Sequence, residues 1–120
     1  MTASKVAVIG CGYWGRNLVR NFAEMGVLGA VVDANPAAAK AEGEKYGVPA
    51  RVLEDVLADK SIAGVAVAAP AELHADIALQ AFAAGKHVFV EKPIALSIQD
   101  AEKMRDAAAR AGLSLMVGHL

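Results

Sequence analysis

The chain has 120 residues, enough for one domain with a single hydrophobic core. Its 12 Lys and Arg against 13 Asp and Glu give a formal charge of −1, so no basic field is available to hold nucleic acid or an anionic membrane. The single cysteine excludes an internal disulfide, and no leader or long apolar run is visible. We therefore expect a cytoplasmic protein with no nucleic-acid partner, no membrane partner and no metal.

Short β-branched runs alternate with longer helical stretches from the start of the chain. Lys5 to Ile9 predicts an apolar strand, which ends in the glycine loop GCGYWG. The helix after the loop carries Leu18, Val19 and Phe22 on one side. Val27 to Val32 predicts a second strand, which closes on Asp33.

The middle of the chain continues this alternation. Asn35-Pro36 predicts an N-cap with proline at the first helical position, and the alanine-rich helix that follows ends at Gly47. A short extended piece near 51–53 and a helical turn from Glu54 to Ala58 precede the apolar strand IAGVAVAAP.

The last third contains two more helices and two more strands. A helix from about Glu72 to Ala84 is predicted to turn four side chains inward, those of Leu73, Ile77, Ala81 and Phe82. His87 to Val90 predicts the next strand, Ser97 with Asp100 forms a capping-box-like helix start, and LSLMVGHL gives a final strand.

Strands that are apolar throughout and separated by helices indicate an α/β fold with a doubly wound, mainly parallel Rossmann sheet and helices on both faces. In such sheets, ligands bind beyond the carboxyl ends of the strands. The glycine loop, Asp33, Ala69-Pro70 and the segment Glu91-Lys92-Pro93 all lie at predicted carboxyl ends. We expect these segments to gather at one edge and form one site.

The glycine loop is the strongest single motif for dinucleotide binding. Gly10, Gly12 and Gly15 fit G-x-G-x-x-G directly after a strand and at the start of a helix. Gly10 makes the tight turn, Gly12 lets a pyrophosphate approach the backbone, and Gly15 lets helix and strand pack closely. The helix N-terminus offers N–H groups to the phosphates. Two alternatives are a turn required only by packing and the related loops of methyltransferases.

Asp33 indicates which dinucleotide is bound. It lies eighteen residues after Gly15, at the end of the second strand, where a carboxylate accepts hydrogen bonds from an adenosine ribose. The carboxylate repels a 2′-phosphate, and no arginine stands beside it in the sequence. NAD is therefore predicted in preference to NADP, and the alternative role for Asp33 is a turn or helix-capping aspartate.

Four stretches together resemble the amino-terminal domain of the Gfo/Idh/MocA oxidoreductase family: VAVIGCGYWGRNLVRNF, VVDANP, AAPAELHADIALQAFAAGKHVFVEKPIALS and MVGH. The resemblance covers essentially the whole chain. It implies an NAD-dependent dehydrogenase domain in which Gly10, Gly12 and Gly15 form the pyrophosphate loop, with Tyr13 and Trp14 beside it. Asp33 matches the ribose-binding acid.

The resemblance also gives roles to the second half of the chain. Ala69-Pro70 and His74 match a TPxxxH region along the cofactor, in which Ala69 replaces the usual Thr or Ser and removes a hydroxyl contact. Glu91, Lys92 and Pro93 match the Glu-Lys-Pro motif, whose glutamate lies near the nicotinamide ribose and whose lysine reaches the reacting hydroxyl. Lys92 is thus the predicted catalytic residue. The alternative is a surface lysine paired with Glu91, and the sequence leaves the isomer of the Lys92-Pro93 bond open.

The remaining candidates carry weaker signals. His74 is expected either at the cofactor, as a helix cap, or in solvent, and His87 is expected at the surface. His119 lies on the cofactor edge. Cys11 is predicted to be a small loop residue, with a redox role as the alternative.

The family resemblance implies a second domain, which binds substrate and which is not in this sequence. We therefore expect a cofactor-binding half of a sugar-type or polyol dehydrogenase, which takes a sugar or nucleotide sugar only together with that second domain. The GYWGRN variant most resembles members that oxidise UDP-activated sugars. Apolar residues from Leu115 to Leu120 predict a possible homo-oligomer.

Two other classes of protein fit parts of the pattern. One is a stand-alone nucleotide-binding module that senses NADH or coenzyme A and regulates a partner. The other is a purely structural α/β domain. Lys92 discriminates against the sensor, since a sensor has no need of a proton-handling lysine.

Overall fold

The computed structural model describes residues 4–118, except for the side chains of Tyr13 and Trp14. Its strands are β1 Lys5–Ile9, β2 Leu28–Val32, β3 Ile62–Val67, β4 His87–Glu91 and β5 Leu115–Gly118. Its helices are α1 Tyr13–Glu24, α2 Pro36–Tyr46, α3 Leu53–Ala58, α4 His74–Ala83 and α5 Ile98–Ala111. A 3₁₀ turn, Ala71–Leu73, leads into α4.

The strands form one parallel sheet in the order β2-β1-β3-β4-β5. From β1 the chain crosses to β2 on one side, and β3 then returns to the other side of β1. The carboxyl ends of β1 and β3 therefore flank a topological switch point, where this fold forms its binding crevice. The predicted α/β Rossmann architecture is confirmed.

Helices cover both faces of the sheet because successive strand residues point to opposite sides. One face packs against α1 and α2 through a buried cluster that includes Val8, Leu18, Val19, Val31 and Ala66. The other face packs against α3, α4 and α5 through a larger cluster that includes Val56, Val65, Ile77, Val90 and Met104. These two clusters hold the strand ends at fixed positions along one edge.

Local chemistry sets several helix boundaries where the sequence predicts them. The Asn35 side chain accepts a hydrogen bond from the Ala37 N–H at 3.0 Å, and Pro36 follows as the first helical residue. Gly47 ends this helix with a φ of 70°. At α5, Ser97 Oγ accepts a hydrogen bond from the Asp100 N–H at 3.0 Å.

Two local predictions are wrong. Leu73 was expected inside but is 45% exposed, whereas the next residue, His74, is only 2% exposed. The 3₁₀ turn delays the start of α4 to His74, and two carbonyl oxygens satisfy the buried imidazole. The extended piece is also shorter than expected: Ala50 makes a single parallel bridge to Val31, and α3 already begins at Leu53.

A buried lysine joins elements at the amino edge of the sheet. Lys86 is 4% exposed, and its Nζ donates hydrogen bonds to the carbonyl oxygens of Asp59 and Ile62, each at 2.6 Å. The sequence gives no signal for this role, since a lysine in a polar turn before a strand ordinarily lies in solvent. The structure therefore adds a stabilising contact at the edge opposite the predicted site.

Two further features concern membrane spanning and exposed apolar surface. None of the helices between residues 4 and 118 combines the length and apolar character needed to cross a bilayer. On β5, Met116 and Val117 are 61% and 43% exposed. The apolar surface predicted near the last strand is thus present for these two residues, and association through it stays a prediction.

Candidate dinucleotide-binding site

A cleft of about 560 Å³ lies at the carboxyl edge of the sheet, above the switch point between β1 and β3. This volume is within the range of about 300–1,000 Å³ that is usual for small-molecule sites. The cleft brings together most of the residues predicted for the site, namely Gly10, Gly12, Asp33, Ala69, Pro70, His74, Glu91, Lys92 and Pro93. Gly15 lies behind the cleft, and the side chains of Tyr13 and Trp14 lie outside the described residues.

Gly10 and Gly15 are required by the packing of the glycine loop itself. Gly10 has a φ of +101°, and a Cβ on it would lie 2.8 Å from the backbone carbon of Ala68. A Cβ on Gly15 would collide with the carbonyl oxygen of Gly10. These two glycines let α1 begin directly against the end of β1, as the motif predicts.

Gly12 is different, because the fold gives no reason for a glycine there. Among the described atoms, a Cβ on Gly12 would meet nothing within 4 Å, and its φ of −74° and ψ of −162° suit any residue. Gly12 is exposed, lines the cleft and is the N-cap of α1, and no side chain caps this helix start. Free N–H groups and an open backbone at a helix N-terminus fit a phosphate-bearing ligand.

Asp33 fixes the geometry of the cleft on the β2 side. Its Oδ2 accepts a hydrogen bond from the Cys11 N–H at 2.6 Å, and its Oδ1 accepts one from the Asn35 N–H at 2.7 Å. A carboxylate offers about four acceptor positions, so two stay available to ribose hydroxyls. The turn role and the ribose role considered for Asp33 are therefore compatible.

Arg51 is a residue near this site that the sequence did not indicate. It lines a pocket of about 280 Å³ together with Asp33, because the bridge between Val31 and Ala50 carries the chain back beside β2. Its guanidinium already donates a hydrogen bond to Asp59 Oδ2 at 2.6 Å and another to the Asp55 carbonyl oxygen at 3.1 Å.

The partner of Arg51 is ionised at neutral pH. Hydrogen bonds from Ser61 and Arg51 lower the pKa of Asp59 to about 2. No arginine stands beside Asp33 in the sequence, and Arg51, which shares this pocket with it, has its guanidinium engaged by another carboxylate.

The Glu-Lys-Pro segment forms the opposite wall of the cleft. β4 ends at Glu91, whose Oε1 is buried and has no hydrogen-bond partner within the described part of the chain. Burial raises the pKa of Glu91, and the neighbouring His74 opposes that shift. Lys92 is exposed, and no ion pair joins it to Glu91 among residues 4–118, so the paired surface lysine is not observed. The Lys92-Pro93 peptide bond is cis.

The side chain of His74 neither lies in solvent nor caps a helix, the two alternatives considered for it. It lies under the cleft, with its ring between the carbonyl oxygens of Ala69 and Pro93. His87 is exposed at the amino edge as predicted, where its Nδ1 accepts a hydrogen bond from the Ser114 N–H at 3.0 Å. His119 lies outside the described residues.

Cys11 is buried in the glycine loop, and its surroundings disfavour a thiolate. Burial and the nearby negative charge of Asp33 raise the pKa of Cys11 to about 11. Because the thiolate is the reactive form, this environment supports a packing role and not a redox role.

This environment predicts slow chemical modification of the folded chain. At pH 8 we expect iodoacetamide to alkylate Cys11 roughly a hundredfold more slowly than free cysteine, since the thiolate fraction is small. The rate is measured by mass spectrometry of intact protein, with the chain unfolded in urea as the control. Alkylation of the folded chain at the rate of the unfolded chain would contradict the buried position of this thiol.

Comparison with known proteins identifies relatives of this fold and site. Residues 4–119 match the Gfo/Idh/MocA family described as "Oxidoreductase family, NAD-binding Rossmann fold". The chain is 35% identical over 117 residues to an uncharacterised oxidoreductase of Streptococcus pneumoniae, with 97% of this chain and 32% of that protein covered. It is 33% identical over 114 residues to inositol 2-dehydrogenase of Salmonella typhimurium, with 90% of this chain and 34% of that protein covered.

A solved structure shows the same architecture. The WlbA dehydrogenase from Bordetella pertussis, in complex with NADH and UDP-GlcNAcA, superimposes with a TM-score of 0.88 at 31% identity, covering 98% of this chain and 36% of that one. The chain spans about a third of the length of the curated relatives that it matches. Since the match extends over nearly all of its residues, this chain belongs to the Gfo/Idh/MocA oxidoreductases and forms their NAD-binding Rossmann domain.

Proposed function

We propose that this domain binds NAD in the carboxyl-edge cleft and serves a dehydrogenase that acts on a hydroxyl-bearing carbon of a sugar or polyol. The observation that carries the proposal is Gly12, which the fold leaves open on the side of the cleft at the uncapped start of α1. A glycine that no contact among the described residues requires is explained by a ligand that approaches its backbone. Asp33, at the end of the neighbouring strand β2, lines the same cleft, and its carboxylate is proposed to bind a ribose of this ligand.

NAD is proposed in preference to NADP on the basis of charge. The Asp33 carboxylate would repel a 2′-phosphate on the adenosine ribose. Arg51, the cation that shares a pocket with Asp33, is held by Asp59 and does not offset this repulsion. The relative with NADH bound is consistent with this preference.

Lys92 is proposed as the residue that handles the substrate proton. Its side chain is exposed at the cleft wall opposite Asp33, and in the neutral amine form it can hold a substrate hydroxyl and accept the hydroxyl proton as hydride leaves the carbon. When bound, the nicotinamide supplies the hydride acceptor for this chemistry. Hydride transfer on a sugar or nucleotide sugar is proposed to need a second, substrate-binding domain, because the relatives are about three times as long.

Titration with three ligands tests the cofactor assignment. Fluorescence of Trp14, the only tryptophan, is followed during addition of NADH, NADPH and coenzyme A. We expect NADH to bind at least about tenfold more tightly than NADPH, a difference of about 1.4 kcal/mol. The Asp33→Asn variant removes the charge and also one of the two oxygens that accept from the Cys11 and Asn35 N–H groups, so it should narrow that gap while weakening the binding of both dinucleotides.

Other results of the titration would replace parts of the proposal. Equal or tighter binding of NADPH would overturn the preference for NAD. Binding of coenzyme A ahead of both dinucleotides would favour the nucleotide-sensing module, and no binding of any ligand would contradict an independent cofactor site on this chain.

A further inference from the structure

His74 has an unusual set of hydrogen-bond partners for a buried histidine. It is 2% exposed, its Nδ1 lies 2.9 Å from the carbonyl oxygen of Pro93, and its Nε2 lies 2.8 Å from the carbonyl oxygen of Ala69. Both distances are typical of N–H···O hydrogen bonds. The ring therefore spans the gap between the end of β3 and the segment that follows β4.

The chemistry of the two partners decides the charge of the ring. A backbone carbonyl oxygen can only accept a hydrogen bond, whereas a neutral imidazole carries one N–H donor and one acceptor nitrogen. In a neutral ring, one nitrogen lone pair would face a carbonyl oxygen in a buried setting, with no donor between them. Only the imidazolium, which donates from both nitrogens, satisfies both contacts.

The charges around His74 are compatible with a buried cation. Glu91 ends β4 on the same cleft as His74; burial raises the pKa of its carboxyl group, the neighbouring His74 opposes that shift, and its Oε1 has no hydrogen-bond partner among the described residues. Lys92, on the same wall of the cleft, is exposed, as are Glu72 and Asp76 next to His74 in the chain. Glu91 is thus the acidic group placed to balance the ring, and a buried charge is retained when it is both paired and hydrogen-bonded.

We propose that His74 is an imidazolium that ties the Ala69 carbonyl to the Pro93 carbonyl, and that this tie positions Lys92 at the cleft. Its effect on cofactor binding rests on the proposed function, whereas the protonation of the ring and the position of the loop do not. His74 is 2% exposed and both of its ring nitrogens are engaged by backbone carbonyl oxygens, so we assign it a positioning role.

The protonation of the ring is tested directly on the wild-type chain. Uniformly ¹⁵N-labelled protein is studied at pH 7 with a long-range ¹H–¹⁵N correlation that reports both ring nitrogens of each histidine. The His87→Gln and His119→Gln variants assign the other two histidines, so the signal of His74 is identified without changing it. His87 is an internal reference, because its Nδ1 accepts a hydrogen bond from the Ser114 N–H.

We expect both nitrogens of His74 to resonate as protonated nitrogens, in contrast to the Nδ1 of His87. A far-downfield shift for either nitrogen of His74, as an unprotonated imidazole nitrogen shows, would overturn the imidazolium. A merely structural packing role would not fix two protons on the ring, so this signature separates the two interpretations.

The positioning role is tested with His74→Gln, and His87→Gln at the opposite edge is the matched control. We expect the amide signals of Lys92 and Ile94 to shift in His74→Gln while those of Cys11 and Asn35 stay in place. NADH binding should weaken about tenfold. Unchanged signals at Lys92 and Ile94 would overturn the positioning role, whether or not NADH binds. Failure of the wild-type chain to bind NADH would contradict the proposed function alone.

Discussion

The Gly12→Ala variant should fold like the wild-type chain and bind NADH at least about tenfold more weakly, a loss of about 1.4 kcal/mol or more. The added methyl group meets no described atom within 4 Å and needs no change of backbone conformation, so the protein itself does not oppose it. In the proposed site it would occupy the space through which a pyrophosphate reaches the N–H groups at the start of α1. Binding is measured by the NADH titration, and folding by urea denaturation.

The result separates a ligand contact from a packing contact. A variant that keeps both stability and NADH affinity would show that Gly12 is not at the pyrophosphate, and the proposed function would lose its main support. Ala37→Gly, an exposed position in the first turn of α2, controls for a general effect of exchanging glycine and alanine at a helix start. We expect that control to change NADH affinity by less than about twofold, under about 0.5 kcal/mol.

The Gly15→Ala variant should lower the free energy of unfolding by about 3 kcal/mol or more. Its new methyl group would overlap the carbonyl oxygen of Gly10, and neither the start of α1 nor the end of β1 can move away without disturbing the core. Val8 and Val19, which lie in those two elements, are both fully buried. The new methyl group overlaps a backbone atom, so no flexible side chain can move aside to relieve the overlap.

Urea denaturation followed by circular dichroism measures this loss, and Gly12→Ala is the matched comparison within the same loop. We expect Gly12→Ala to lose NADH binding and keep its stability, whereas Gly15→Ala loses stability. If Gly15→Ala unfolds within about 0.5 kcal/mol of the wild type, the close approach of α1 to β1 would be contradicted.

The alternation of strands and helices along the chain, and the sheet edge at which the candidate site lies, were predictable because they depend on short-range patterns. Periodic apolar runs identify the strands, and their carboxyl ends must share an edge in a parallel sheet. Gly10, Asp33 and Glu91 each directly follow a predicted strand, so one rule places them together. The helix starts at Asn35 and Ser97 were predictable for a similar reason, since capping is a contact between near neighbours in the chain.

Beyond the two local errors at Leu73 and at the start of α3, the features that sequence reasoning missed depend on contacts between residues far apart in the chain. The pairing of His74 with the Pro93 carbonyl spans 19 residues, and that of Lys86 with the Ile62 carbonyl spans 24. Arg51 comes near Asp33 only because Ala50 forms a bridge with β2. A single histidine, lysine or arginine belongs to no periodic sequence pattern that would reveal such a partner. These contacts matter because a buried polar group needs a hydrogen-bond partner.

The Lys86 contacts, which stabilise the fold, lie apart from the cleft, which is the candidate ligand site. This buried ammonium joins backbone carbonyls at the amino edge, far from the cleft at the other end of the strands. Substitutions at cleft positions such as Ala69 or Lys92 thus leave this stabilising contact in place. Because the contact and the cleft lie at opposite ends of the strands, the effect of a Lys86 substitution on stability and the effect of a cleft substitution on ligand binding should be separable and close to additive.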